Sequence, residues 1–381
     1  MKIMILGADG YLGWPTAVEL AFKGHDLMLV DNYLKRKLMS KYKKKPLVSS
    51  PKLNKKVSLL KKRKCNVDYS NLDCAKFINL NKLVASFKPD AVIHYAELPS
   101  APYSMIGYDE SWTTLQNNLQ TTLNLIWSIK NLKKSCHIIK LGTMGEYGTP
   151  NIDIEEGWIN IKHNGRKDKF MYPRQASSLY HTSKIMDTDL LWFYVRMFQI
   201  QVTDLMQGPV YGILENEFMD INNLHNTYSY DEMFGTVLNR FIVQATTKQP
   251  LTVYGSGNQI RGYINIKDCL KCIELALKNP PDNGDMNIYN QFTEQFSVNQ
   301  LAHKIKKALK KIDIDVVITK INNPRKEKEK HYYSAKNNSL MKLGLKPTLL
   351  TNDEIIKIAQ YVAKYKKNID KSIINPKTKW V

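Results

Sequence analysis

Residues 2–13 read Lys2-Ile3-Met4-Ile5-Leu6-Gly7-Ala8-Asp9-Gly10-Tyr11-Leu12-Gly13, a hydrophobic strand that runs into a glycine turn and then into a helical pattern over 12–22. Gly7 permits the tight turn, Gly10 lets backbone N–H groups approach a phosphate, and Gly13 lets the helix pack close to the sheet. The helix N-terminus favours negative charge at the same point. A second hydrophobic run, 27–30, ends in Asp31, where a carboxylate can accept the hydroxyls of an adenosine ribose. Strand, glycine turn, helix and acid in this order predict a dinucleotide site.

Outward from that stretch, strand and helix patterns alternate through the first two hundred residues, which predicts an α/β fold with a Rossmann-like doubly wound parallel sheet. Further sheet segments are expected at 66–69, 91–94, 137–141 and 201–205, and helices at 73–87, 111–132 and 177–198. Pro89-Asp90 and Gly142-Thr143 punctuate the boundaries. Gly7, Asp31, Ala96 and Thr143 then share the C-terminal edge of the sheet, the edge where such folds hold ligands. Beyond 206 the pattern shortens, with strands at 251–254 and 262–266 and helices at 233–246, 298–309 and 352–365. The expected organisation is a dinucleotide-binding domain over 1–206, carrying a basic insertion at 33–64. A smaller α/β substrate-binding portion covers 207–381, with segments that return to the first domain.

The 381 residues are 43% hydrophobic, an ordinary globular composition. No apolar stretch reaches the ~18 residues of a membrane span, so a cytoplasmic protein without membrane insertion is expected. Cys65, Cys74, Cys136, Cys269 and Cys272 are too scattered for a disulfide framework. Cys269 and Cys272 fall in a predicted helix with no second ligand pair, so packing and not metal is expected. The net charge of +21 owes much to the lysine-rich stretch 35–64. It reads either as a polyanion-binding patch or as a solvated insertion. With Tyr33 and Tyr42 as its interleaved aromatics, the insertion is preferred and no specific nucleic acid is expected.

Tyr180-His181-Thr182-Ser183-Lys184 sets a tyrosine and a lysine four residues apart on one helix face. A lysine ammonium there stabilises phenolate over phenol, and a phenol tuned toward neutrality can take a proton from a sugar hydroxyl while hydride leaves. Thr143 supplies a hydroxyl to orient that sugar oxygen. Glu146 and His181 adjoin this set and can titrate, so they are candidates for further proton transfers, against local roles in a loop and in helix packing.

Gly7-x-x-Gly10-x-x-Gly13, Thr143 and Tyr180-x-x-x-Lys184 resemble the extended short-chain dehydrogenase/reductases that act on nucleotide sugars. The stretch from Lys140 to Glu156, Ser100-Ala101-Pro102-Tyr103-Ser104-Met105, Gln175-Ala-Ser-Ser178, residues 289–298, and Asn323-Pro-Arg325 with His331-Tyr-Tyr333 are similar to the UDP-sulfoquinovose synthase family over nearly the whole chain. That resemblance implies NAD, UDP-glucose, and sulfite or a sulfite-donating protein. It implies C4 oxidation, loss of water across C5/C6, sulfite addition at C6 and re-reduction at C4, with Glu146 and His181 moving protons at C5 and C6. Cofactor contacts are expected from Gly7, Asp9, Gly10, Tyr11, Gly13, Asp31, Asn32, Asp73, Cys74, Ala96, Tyr180, Lys184, Gln207 and Arg36, the last able to neutralise a 2′-phosphate. Arg240, Arg261 and Arg325 are expected at the diphosphate, where a guanidinium fork suits phosphate oxygens. Ser100, Thr143, Gln175, Gln207, Tyr254, Gln259 and one of Glu327 or Glu329 complete the substrate set. A homodimer through 111–132 and 177–198 is expected as in similar proteins. Met144-Gly145 stands where related 4,6-dehydratases carry an Asp-Glu pair, which disfavours that route. A UDP-sugar 4-epimerase or 4,6-dehydratase is the alternative within the family, and a polyanion-binding protein on a reused fold the alternative outside it.

Overall fold

A computed structural model describes residues 1–325, 328, 331–376 and 380. Its centre is a seven-stranded sheet, all neighbours parallel: β1 (Lys2–Leu6), β2 (Asp26–Asp31), β3 (Val67–Asn71), β4 (Ala91–His94), β5 (His137–Thr143), β6 (Gln201–Gln207) and β7 (Met286–Gln291). Across the sheet the order is β7-β6-β5-β4-β1-β2-β3. The order reverses beside β1, so a crevice opens where its C-terminal end meets β4. β1 and β4 are buried on both faces apart from Lys2, as parallel strands covered by helices must be. β7 lies far beyond the first domain's expected limit and pairs with β6 from Met286↔Val202 to Gln291↔Gln207, so the second half of the chain completes the sheet.

The expected helices form with boundary shifts of a few residues, including Tyr108–Lys130, Leu179–Phe198, Val237–Thr246, Val298–Lys310 and Asn352–Lys364. An antiparallel hairpin, Trp158–His163 with Arg166–Met171, was not expected. Its Asn164-Gly165 turn has positive φ at both residues, which the two-residue hairpin turn requires. The basic stretch differs from a solvated insertion. Its helices Leu34–Lys41 and Leu53–Lys62 send Leu38, Met39, Leu53, Val57 and Leu60 into the interior, and Leu47 and Val48 join the core of the second portion. Amphipathic spacing accounts for this: lysines other than the buried Lys56 fill the outer face between the buried aliphatics.

Candidate active site

One cavity of about 760 Å³ runs along the C-terminal edge of the sheet and into the second portion. At its floor the glycine turn is as tight as the sequence requires. Gly7 has φ +82°, and a Cβ there would lie 2.6 Å from the Tyr95 carbonyl. A Cβ on Gly13 would lie 2.2 Å from the Gly7 oxygen, so the helix Gly13–Phe22 can start against the turn only with glycine there. Asp31 closes the end of β2. Its oxygens accept from the backbone N–H of Asp9 (2.9 Å) and Tyr33 (2.7 Å). Burial, then the nearby Asp9 charge, pushes its carboxyl up to about 6. A cradle shaped by two obligatory glycines, with a carboxylate at the next strand end, fits a dinucleotide.

Gly10, Tyr11, Asn32, Asp73, Cys74, Ala96 and Gln207 also line the cavity. Asn32 donates to Asp73 (3.1 Å), which joins the ends of β2 and β3. Asp9 and Arg36 line it too, but each already serves the other. Arg36 forks onto the Asp9 carboxylate and donates to the Ser50 (2.6 Å) and Pro51 (3.0 Å) carbonyls. Lys56, 1% exposed, completes the pairing at 3.0 Å from Asp9. Arg36 is thus committed to a loop-holding network and not offered to a 2′-phosphate.

Toward the sugar end, Thr143 caps the turn Met144–Glu146: its Oγ1 accepts from Gly145 N–H (3.2 Å), leaving its hydroxyl proton to donate. Tyr180 and His181 line the cavity at the first turn of the helix Leu179–Phe198, which Ser178 caps. Burial pushes the Tyr180 phenol up, and the Glu97, Glu146 and Asp187 charges add to this against Lys140. Burial, with Arg261 and Arg325, holds His181 down at about 3, so its imidazole is neutral at physiological pH. Its Nδ1 meets Ser178 Oγ at 3.0 Å, and its Nε2 sits where a Cβ on Gly145 would be.

Among the described residues, three expected ones are not on the cavity wall. Lys184 lies behind it, paired with Glu97. Glu146 is 0% exposed; its Oε1 accepts from Thr143 N–H (3.2 Å) and lies 3.6 Å from Lys140 Nζ, and Arg174 Nε lies 3.7 Å from its other oxygen. A carboxylate so enclosed fixes the turn that presents Thr143. Ser100 caps the helix Ala101–Ser104, accepting from Tyr103 N–H (3.0 Å) and donating to the Met233 carbonyl (2.5 Å). Its residue type is an N-cap signature, and that local demand outweighs a ligand role here.

In the second portion Gln175, Arg240, Tyr254, Gln259, Arg261 and Arg325 all line the cavity. Arg240 stacks 4.1 Å from the Tyr254 ring and donates to the Thr252 carbonyl (3.1 Å); Arg261 meets His331 Nε2 at 3.0 Å. Arg325 stacks on Trp380 at 5.3 Å. Glu327 and Glu329 lie outside the described residues. Sequence reasoning missed Glu97, Trp380 and Tyr333 on the wall and Arg174 behind it. Glu97, directly after Ala96 beyond β4, was within reach of the strand-end argument.

The family model for the NAD dependent epimerase/dehydratase family matches residues 3–290. The chain is 43% identical over its whole length to the chloroplastic UDP-sulfoquinovose synthase of Spinacia oleracea, covering 79% of that protein. It is 39% identical to the UDP-sulfoquinovose synthase of Sulfolobus acidocaldarius, covering 100% of this chain and 98% of the other. Its fold resembles the UDP-glucuronic acid 4-epimerase of Bacillus cereus, solved with UDP-glucuronic acid and NAD (TM-score 0.69, 20% identity, 96% and 99% of the two chains). The chain belongs to the NAD dependent epimerase/dehydratase family, within which two relatives matched over its whole length are UDP-sulfoquinovose synthases.

Proposed function

We propose that this protein converts UDP-glucose and sulfite to UDP-sulfoquinovose and retains NAD through the cycle. The observation that carries the reading is one continuous cavity with the glycine cradle and Asp31 at one end, three arginines at the other, and Thr143, Tyr180 and His181 on its wall. Bound NAD supplies the acceptor for hydride from C4 and its source for the return. Gly7, Gly10, Gly13 and Asp31 hold the dinucleotide, and Arg240, Arg261 and Arg325 hold the diphosphate of the sugar. Thr143 donates to the C4 oxygen and Tyr180 takes its proton. The C4 ketone makes the C5 proton acidic. His181, neutral and facing the cavity, takes that proton, while Glu146 holds the Thr143 turn from behind. His181 gives that proton to the C6 hydroxyl, which leaves as water, and bisulfite adds across the C5/C6 alkene, its sulfur bonding C6 and its proton going to C5. The hydride returns to C4 and the proton held by Tyr180 returns to its oxygen, so no net redox remains.

Product mass spectrometry tests the reading. UDP-glucose with sulfite and no added NADH should yield a sulfonated nucleotide sugar. Conversion at the same rate without sulfite would establish the 4-epimerase or dehydratase alternative instead. Five unpaired cysteines, four of them buried, support a reducing, cytoplasmic setting, and among the described residues no helix is long and apolar enough to cross a membrane.

A homodimer is part of the proposal. Tyr108 (80% exposed), Trp112 and, on the second helix, Met186, Phe193 and Met197 leave an apolar surface on Tyr108–Lys130 and Leu179–Phe198. Light scattering should return twice the chain mass, and Phe193→Glu should return a monomer; a wild-type monomer would refute the dimer.

A further inference from the structure

We propose that Glu97 is a positioning residue for this reaction: by holding the Lys184 ammonium it sets how readily the Tyr180 phenol takes up and returns a proton. The inference rests on the function proposed above and deepens it. Glu97 lines the cavity just beyond β4, and its Oε2 accepts from Lys184 Nζ. Its Oε1 is buried with no hydrogen-bond partner, 3.5 Å from His94 Nε2. Lys184 follows Tyr180 by one helical turn and is itself almost wholly buried. The ammonium that would stabilise a phenolate is therefore paired with a carboxylate.

The other titratable groups packed against this pair leave it as the local charge balance. Burial holds His94 down at about 4, so it is neutral. Asp187, three residues beyond Lys184, is fully buried. Burial and then the Glu97 charge raise its carboxyl well above the ordinary range. Burial works against the Lys184 charge, but Glu97 and Asp187 outweigh it and hold the ammonium above its ordinary value. Deeper in, Lys140 from β5 faces Asp204 from β6 and Glu146 from the turn.

A reversible cycle explains why such a balance is useful. A phenol that only had to remove the C4 proton would profit from an uncompensated cation. One that must also return it needs an acidity poised for both directions. Glu97 offsets part of the stabilisation that Lys184 gives the phenolate.

The test is the pH profile of kcat/KM for UDP-glucose with sulfite, which reports ionisations of the unliganded enzyme. Glu97→Gln should move the acid limb to lower pH by about one unit, because a negative charge beside the phenol is lost. Glu97→Asp keeps the charge and should keep the limb. Should Glu97→Gln fail to fold by thermal unfolding, Glu97→Met, neutral and of similar length, is read in its place. An unmoved limb with lowered kcat overturns the proposal, as does an aspartate limb displaced as far as the glutamine one. If the wild type does not turn over UDP-glucose, the functional reading fails. The pairing is then judged by ultraviolet tyrosinate titration, each protein against its Tyr180→Phe partner, with the same expected direction and the same overturning result.

Discussion

Tyr180→Phe lowers kcat by about 10³-fold, the order expected when a positioned acid–base group is removed, while the affinity for UDP-glucose stays within about twofold of wild type. Among the described residues six tyrosines other than Tyr180 reach the cavity, and all but Tyr263 have an occupied hydroxyl. Tyr11 donates to the Gly212 carbonyl, Tyr95 meets Thr16 at 3.2 Å, and Tyr254 receives Arg240; Tyr33 and Tyr333 accept from the N–H groups of Leu53 and Gly262. The Tyr180 side chain is different. Its backbone is fixed by N–H donation to Ser104 Oγ (3.0 Å), and its ring lies 5.1 Å from that of His181. Fixed backbone and uncommitted hydroxyl are what a group that must meet a substrate oxygen requires. Steady-state kinetics and calorimetric titration with UDP-glucose separate the two quantities. A variant that keeps a tenth of wild-type turnover would remove Tyr180 from the chemistry.

The sequence made the glycine turn, Asp31, Thr143 and the Tyr180 helix legible because each is a local feature: a turn geometry, a strand end, a helix phase. The arginines are legible only through the resemblance to the family, which puts Arg240, Arg261 and Arg325 near the diphosphate. What stayed hidden depends on residues far apart in the chain. Lys140 and Asp204 meet only because β5 and β6 pair. Lys56 reads as one more surface lysine until the helix Leu53–Lys62 turns it toward Asp9. Glu146 reads as reactive because it follows Thr143 by three residues, yet that spacing is also a capping box, and the cap is what forms. β7 escaped notice because its pattern, Met286-Asn287-Ile288-Tyr289, is mixed and its neighbours lie eighty residues away.

The largest loss of stability is expected from Lys140→Met. The Lys140 ammonium is fully buried and donates to Thr188 Oγ1 (2.6 Å), Asp204 Oδ2 (3.1 Å) and the Lys184 carbonyl (3.3 Å). Methionine fills similar space but leaves Asp204 and Glu146 facing each other in the interior, with Arg174 still 3.7 Å from Glu146. Breaking one side of a buried ion pair costs about 3–5 kcal/mol, a large share of the ~5–15 kcal/mol that holds a typical domain. Urea unfolding at pH 7 measures it. The pH dependence has a definite sign. Burial already raises the Glu146 carboxyl and Lys140 is the strongest influence lowering it, so the variant raises it further. A carboxyl raised in the folded state destabilises increasingly as pH rises through that value, so the deficit should narrow as the pH falls toward 5. Replacing Asp204 by leucine in the same chain should restore part of the loss, since the unpaired charge and not the missing lysine carries most of the cost. The network also backs Lys184 and the Thr143 turn, so activity should fall before the protein unfolds. A Lys140→Met protein as stable as wild type at pH 7 would mean that these carboxylates are not ionised together, and the arrangement behind Tyr180 would need a different charge balance.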